Sequence, residues 1–433
     1  MAEATPPARL RRRIGLFGAA ASGVGIVLGA GIYVLIGEAA GLAGNAIWAS
    51  FLLGAVLAAG TGLSYAELTS MYPEAGAAAV YAREAFGRRT AFVTGWMDVT
   101  VNAVGAPAVA LGFGGYLAAI TGFDRTAIAA VVLLLCAAVV LLGVAETVGL
   151  AAVFAAIEVA GLLFVAVVGL PHLGQVDLLT LHGGTAGLMG AAALVFFAYE
   201  GFEEIATLSE EVTDPTRNIP RALLIAIGVT AALYVFIAAV VVSVVPWERL
   251  AASTAPLALV VGEAVDSRAA SVLSLVALFA TFNTVLLLLA TGPRAMYGMS
   301  RRGLLPPLFG AVWARRGTPA TSILLTTTVA LLFVWSGDIG FVAQVTNFAV
   351  FTLFVVVNGS LIRLRISQPE RPRPFRAGPS FGPVPLPSAI GLGGAVALAL
   401  FMERDAVLAG LGALALGVLL SFLLTPRADA ADG

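Results

Sequence analysis

Apolar runs of about twenty residues recur from one end of the chain to the other, separated by short polar or charged stretches. Each run is long enough to cross a bilayer. The pattern predicts twelve transmembrane helices near 14–36, 46–70, 91–120, 126–145, 147–170, 187–210, 221–245, 270–298, 319–336, 340–363, 385–402 and 406–424. Two of these runs are interrupted where a continuous helix should pass. Residues 23–33 hold four glycines (Gly23, Gly25, Gly29 and Gly31), and residues 195–204 hold three carboxylates (Glu200, Glu203 and Glu204). A glycine inside a helix costs about 1 kcal/mol relative to alanine. An unpaired backbone group in hydrocarbon costs several more, so a break survives only where it lines a cavity or binds something. Two breaks in corresponding halves of a membrane chain are the sequence mark of a transporter's binding site.

Composition excludes a soluble domain. Mean hydropathy is +0.98, 60% of residues are hydrophobic and only 11% are charged, where soluble domains carry about 25%. The net charge of −1 conceals a segregation. All 24 basic residues are arginine, and twelve spans put twenty of them on the side of the N-terminus. Only Arg125, Arg249, Arg268 and Arg404 fall on the other side. Positive residues stay cytoplasmic, so both termini are expected inside. The arginine clusters read as topology signals, with the lipid bilayer as surroundings and no nucleic-acid partner. The first apolar run is too long for a cleaved signal peptide and is expected to be retained. Cys136 is the single cysteine and forms no intrachain disulfide. His172 and His182 lack metal-ligand spacing, and no cofactor or metal is expected. There is no Walker loop to draw on ATP and no hydrolase motif, so the chain reads as no enzyme.

The order of spans implies an all-α polytopic membrane protein built as a five-plus-five inverted repeat. Residues 14–170 form the first half and 187–363 the second, each opening on an interrupted helix. Because five is odd, the second half enters the membrane in the opposite sense. Spans 11 and 12 (385–424) lie outside the repeat, and residues 1–13 and 425–433 form cytoplasmic tails.

Several motifs carry a family resemblance. Gly29-Ala30-Gly31-Ile32-Tyr33 resembles the first-helix motif of the amino acid–polyamine–organocation permeases. Ser64-Tyr65-Ala66-Glu67-Leu68, Tyr72-Pro73-Glu74-Ala75-Gly76 and residues 80–87 are similar to that family's second helix and following loop, and Gly95-Trp96 to the start of its third. Residues 196–203, Glu210-Glu211-Val212 and residues 214–220 resemble its sixth helix and 6–7 loop. Arg294-Ala295-Met296-Tyr297 and residues 301–306 resemble its 8–9 loop. The likeness covers spans 1–10 and is nearest to prokaryotic amino acid permeases related to the cationic amino acid transporters.

The resemblance implies a secondary transporter of L-amino acids that works by alternating access, with spans 1, 2, 6 and 7 rocking against the rest. Proton symport is expected, with exchange or export on the same fold, or a non-transporting sensor, as alternatives. The substrate carboxylate would lie on the amides of Ala30 and Gly31, as anions do at helix N-termini. Carbonyls near Ile26, Val27, Phe197 and Glu200 would hold the ammonium, and Phe197 and Tyr199 would shape the side-chain pocket. Glu203 matches an acidic family position assigned to gating or proton exchange. Glu158 is the lone ionisable group in span 5, where proton-coupled relatives carry a lysine that this chain lacks. A carboxylate there must be partnered or protonated, so it is expected to load and release a proton. The other option is sodium, held with Thr281, Thr284 and carbonyls near Ser22 and Gly23. Asp98 is expected to reach an arginine, and Glu67 and Arg83, at motif positions, to act as structural groups or as a conformational lock.

Overall fold

A computed structural model describes residues 14–73, 77–143, 148–208, 211–313 and 315–425. The tails with Arg9, Arg11, Arg12, Arg13 and Arg427, the Glu74-Ala75-Gly76 part of the second motif, and Glu210 lie outside the described residues. The first apolar run forms two helices, α1 (Leu16–Val27) and α2 (Gly31–Ala43), bent by 48° at the break between them. There follow α3 (Ile47–Met71), α4 (Ala77–Phe86), α5 (Arg88–Thr121), α6 (Arg125–Leu141) and α7 (Val148–Gly169). The second half opens with α8 (Gly184–Val195), a 3-10 turn (Phe196–Tyr199) and the short α9 (Glu204–Thr207). It continues through α10 (Pro215–Val244), α11 (Trp247–Ala251), α12 (Pro256–Ala264), α13 (Ser267–Arg301), α14 (Ala320–Val334) and α15 (Ile339–Ser367). A two-stranded ribbon, β1 (Ser380–Phe381) on β2 (Val384–Pro385), precedes α16 (Leu386–Ala399) and α17 (Arg404–Leu424).

Among the described residues, eight helices are long and apolar enough to cross a membrane, and the bent α1–α2 pair makes a ninth if counted as one span. α6, α14 and α16 are shorter apolar helices. The chain is a polytopic membrane protein. The two longest helices, α5 and α13, pack along each other, while α10 packs on α3 and α15 on α5. Apolar side chains also face outward, Val167 on α7 and Leu423 on α17 among them, as they must where lipid replaces water. The loop elements α4, α11 and α12 were not anticipated from hydropathy, because each is too short to register as a span.

Local chemistry accounts for both breaks. The last α1 bond runs from the Leu28 amide to the Val24 carbonyl at 2.9 Å, and the next regular bond runs from the Val34 amide to the Ala30 carbonyl at 3.1 Å. The first-turn amides of α2 therefore have no acceptor within their own helix. In the second break the chain tightens through the 3-10 turn, extends at Glu200 (ψ 148°) and reverses at Gly201, whose φ of +102° only glycine adopts without strain.

Candidate functional site

The two breaks lie directly against each other. A methyl added at Gly31 would sit 2.6 Å from the Ala198 Cα, so the start of α2 rests on the backbone of the 3-10 turn. A methyl at Gly201 would meet Ile26 at 2.7 Å, so the end of α1 touches the same segment from the other side. The result is one junction where amides at the start of α2 and carbonyls at the ends of α1 and α8 converge. Positive and negative helix ends thus share a small volume.

Neighbouring helices hold the junction in place. Thr284 Oγ1 of α13 accepts the Ala30 amide at 3.3 Å, and the Tyr234 hydroxyl of α10 donates to the Val27 carbonyl at 2.7 Å. Asn347 of α15 donates through Nδ2 to the Ala193 and Leu194 carbonyls at 2.6 and 3.0 Å, satisfying two acceptors that α8 frees where it ends. Tyr116 donates to the Tyr33 carbonyl at 2.9 Å, and Tyr33 in turn donates to the Glu158 carbonyl at 2.8 Å. Sequence reading missed Asn283, Asn347 and Tyr234, whose only signal was a polar atom within an apolar run, and gave Tyr33 a place in the first-helix motif but no role.

The expected site residues divide by location. Ile26, Val27, Ala30, Gly31, Phe197 and Thr284 are all at the junction. The Phe197 ring reaches α5, where a methyl on Gly105 would lie 3.7 Å from it, 3.6 Å from Leu288 and 3.5 Å from Thr346. Tyr199 points elsewhere. It is fully buried, donates to the Phe51 carbonyl of α3 at 2.9 Å and packs edge-on against Tyr234. Glu203 folds back so that Oε2 accepts the Gly201 amide at 3.2 Å, which steadies the reversal. Glu200 has a buried Oε1 with no hydrogen-bond partner.

Glu158 is 2% exposed and accepts from Asn283 Nδ2 of α13 at 3.4 Å. Span 5 therefore turns its carboxyl inward, as the cost of charge in lipid requires. Thr281 bonds back to the Ala277 carbonyl of its own helix at 2.7 Å. Gly23 packs on Ile205 and Ala226 rather than on α13. Among the described residues Asp98 makes no ion pair with an arginine, and the charged group that acts on it is Glu204.

Glu67 and Arg83 sit in different surroundings. Arg83 pairs with its own neighbour Glu84 at 3.3 Å on an exposed surface, an arrangement worth little. Glu67 is fully buried and accepts four donors or cations. Arg365 approaches through Nε at 2.9 Å and Nη2 at 2.5 Å, and the Ala377 amide at 2.7 Å. Arg373 Nε lies 3.3 Å away, at ion-pair distance but out of hydrogen-bond alignment. Burial pulls the Arg373 guanidinium below its usual range, and the Glu67 carboxylate pulls it back up. About one turn earlier on α3, Ser64 donates to Asn358 Oδ1 at 2.7 Å and lies 2.8 Å from the Ser388 hydroxyl, while Asn358 Nδ2 donates to Thr61 at 3.0 Å. Two buried polar clusters thus tie α3 to both α15 and α16.

Comparison with known proteins finds transporters similar along most of the chain. An uncharacterized transporter of Mycobacterium tuberculosis is 32% identical over 416 residues, covering 95% of this chain and 91% of its own length. The methylthioribose transporter of Bacillus subtilis is 30% identical, covering 88% of this chain and 87% of its own. The branched-chain amino acid permease BcaP of the same organism is 28% identical, covering 85% and 84%. The family model described as amino acid permease matches residues 14–426, and the chain belongs to that family.

Proposed function

We propose that this chain is a secondary active transporter of L-amino acids in the cytoplasmic membrane, working by alternating access with proton symport. The nine long spans and the three short apolar helices support a count of twelve, with the two broken helices opening two inverted halves. Twenty of 24 arginines then fall inside with both termini. The observation that carries the reading is the contact of Gly31 with Ala198, which brings two helix breaks of opposite polarity together.

A zwitterion matches that junction. Its carboxylate has the first-turn amides of α2, Ala30 and Gly31, as donors. Its ammonium has the carbonyls of Ile26, Val27 and the 197–200 turn. Tyr234 already occupies the Val27 carbonyl, so Ile26 and the turn are left to carry more of the ammonium. The side chain would extend toward Phe197, Gly105, Leu288 and Thr346, a mostly apolar surround that suits an aliphatic residue. The unpartnered Oε1 of Glu200 supports a role in receiving a proton or a cationic group. Glu158, joined to the junction through Tyr33 and to α13 through Asn283, is the group we assign to proton loading. Relatives named as branched-chain and cationic amino acid transporters support the substrate class.

The test is uptake into proteoliposomes of each of the twenty amino acids and of methylthioribose, with and without an inward proton or sodium gradient. Accumulation of an amino acid driven by the proton gradient is expected. Accumulation of methylthioribose alone, or of nothing under any gradient, overturns the reading. Equal rates with no gradient point to exchange instead.

A further inference from the structure

Thr284 of α13 makes two hydrogen bonds at once. Its hydroxyl donates to the Ala280 carbonyl on its own helix at 3.0 Å, and the same oxygen accepts the Ala30 amide across the break at 3.3 Å. A hydroxyl has one hydrogen and two lone pairs, so the first bond spends the hydrogen and leaves a lone pair for Ala30. Thr281, three residues earlier, bonds only to the Ala277 and Leu278 carbonyls of α13 among the described residues. Bonding back to its own helix is the ordinary habit of a helical threonine. The reach across to Ala30 sets Thr284 apart. Gly29 makes room for it, since a methyl there would lie 3.3 Å from Thr284 Oγ1, closer than ordinary contact.

The Ala30 amide is one of the two donors assigned above to the substrate carboxylate. It carries a single hydrogen, so a carboxylate and the Thr284 hydroxyl compete for it. An ionised acceptor makes a hydrogen bond roughly twice as strong as a neutral one, and the carboxylate prevails. At the other pole of the break, the Tyr234 hydroxyl of α10 holds the Val27 carbonyl at 2.7 Å. That tie joins span 7 to span 1, two spans expected to rock together. Thr284 belongs to span 8, so its tie runs between the rocking spans and the rest.

We propose that Thr284 is a built-in competitor of the substrate carboxylate. An amino acid that binds at the junction takes the Ala30 amide from Thr284, and the tie between α13 and the start of α2 is exchanged for one to the substrate. A ligand without a carboxylate leaves that tie in place. Recognition of the carboxylate and release of α2 from α13 are then a single event. The assignment rests on the transport reading for its ligand.

The experiment is equilibrium binding to the purified full chain in detergent, with the thermal melt recorded alongside. The probes are L-leucine and L-leucinol, which keeps the ammonium and side chain but has no carboxylate. Thr284→Val keeps the branched shape and removes the hydroxyl. It should tighten leucine binding about 5-fold, the worth of one hydrogen bond no longer broken on binding, and leave leucinol unchanged. A threonine that only steadied the site would weaken both when removed. Thr284→Ser restores the hydroxyl and should bring leucine affinity back to that of the unaltered protein. If the valine protein melts low, Thr284→Ala removes the same hydroxyl and is read in the same way. Leucine binding unchanged or weakened in a normally melting protein without the hydroxyl overturns the assignment, and so does an equal gain for leucinol. Both results leave the junction standing. No binding of leucine to the unaltered protein, with no amino acid transported, removes the junction reading and this assignment with it.

Discussion

Glycine positions in this chain differ sharply in what they tolerate. At Gly31 the nearest atom to an added methyl is the Ala198 Cα at 2.6 Å, a backbone atom that cannot turn aside. At Gly105 the nearest atoms are side-chain carbons at 3.5 Å or more, which is ordinary contact. Gly31→Ala should therefore push the two breaks apart and lower amino acid affinity at least 10-fold, measured by binding to purified protein. Unchanged affinity would detach the substrate from the junction. Gly105→Ala should keep its thermal melt but shift preference toward smaller side chains, read as the ratio of alanine to leucine uptake. An unchanged ratio would remove Gly105 and Phe197 from the side-chain pocket. Glu158→Gln mimics the protonated carboxyl without the ability to release its proton. It should abolish the response of uptake to a pH gradient while exchange of internal for external substrate continues. A pH response equal to that of the unaltered protein would assign coupling elsewhere, with Glu200, Glu203 and Glu204, the carboxylates of the second break, next in line.

At the level of whole helices, the polar ties between α3, α15 and α16 constrain how the transporter can move. Removing one partner from a buried ion pair costs about 3–5 kcal/mol, and here Glu67 would desert Arg365 and Arg373 together. Parting the Ser64, Asn358 and Ser388 cluster adds the cost of unmet buried hydrogen bonds, each about 1–3 kcal/mol. A cycle that opened both clusters at every turnover would have to recover all of this on closing. α3, α15 and α16 are therefore expected to travel as one body, in place of a motion in which span 2 parts from spans 10 and 11. A Ser64→Cys, Ser388→Cys protein bridged by mercuric ion should retain most of its uptake, compared before and after the bridge is removed by excess thiol. Reversible loss of uptake on bridging would mean that α3 slides past α16 during transport.

Over the whole molecule, orientation follows from charge. Thr121, at the end of α5, and Arg316, between α13 and α14, are both exposed, and the arginine distribution assigns them to opposite sides. Thr121→Cys should react in intact cells with a membrane-impermeant maleimide, and Arg316→Cys should react only after the membrane is opened. The reverse result would invert the assignment of every loop.

Hydrophobic periodicity needs only local sequence, so the placement of apolar helices was legible from the chain by itself. So was the presence of two breaks: four glycines in residues 23–33, and three carboxylates around Gly201 in 195–204, are each costly in a helix that must cross a membrane. The family was legible too, because its motifs are short and contiguous. Only tertiary structure decided which groups meet. That α1 ends on Gly201, that Asn347 straps α8 from 153 residues away and that Glu67 collects Arg365 from 298 residues away, and Arg373 besides, are facts of packing. Tyr199 shows the same limit: a side chain next to a break in sequence can point into any neighbouring helix, and this one is fixed by the Phe51 carbonyl that α3 offers.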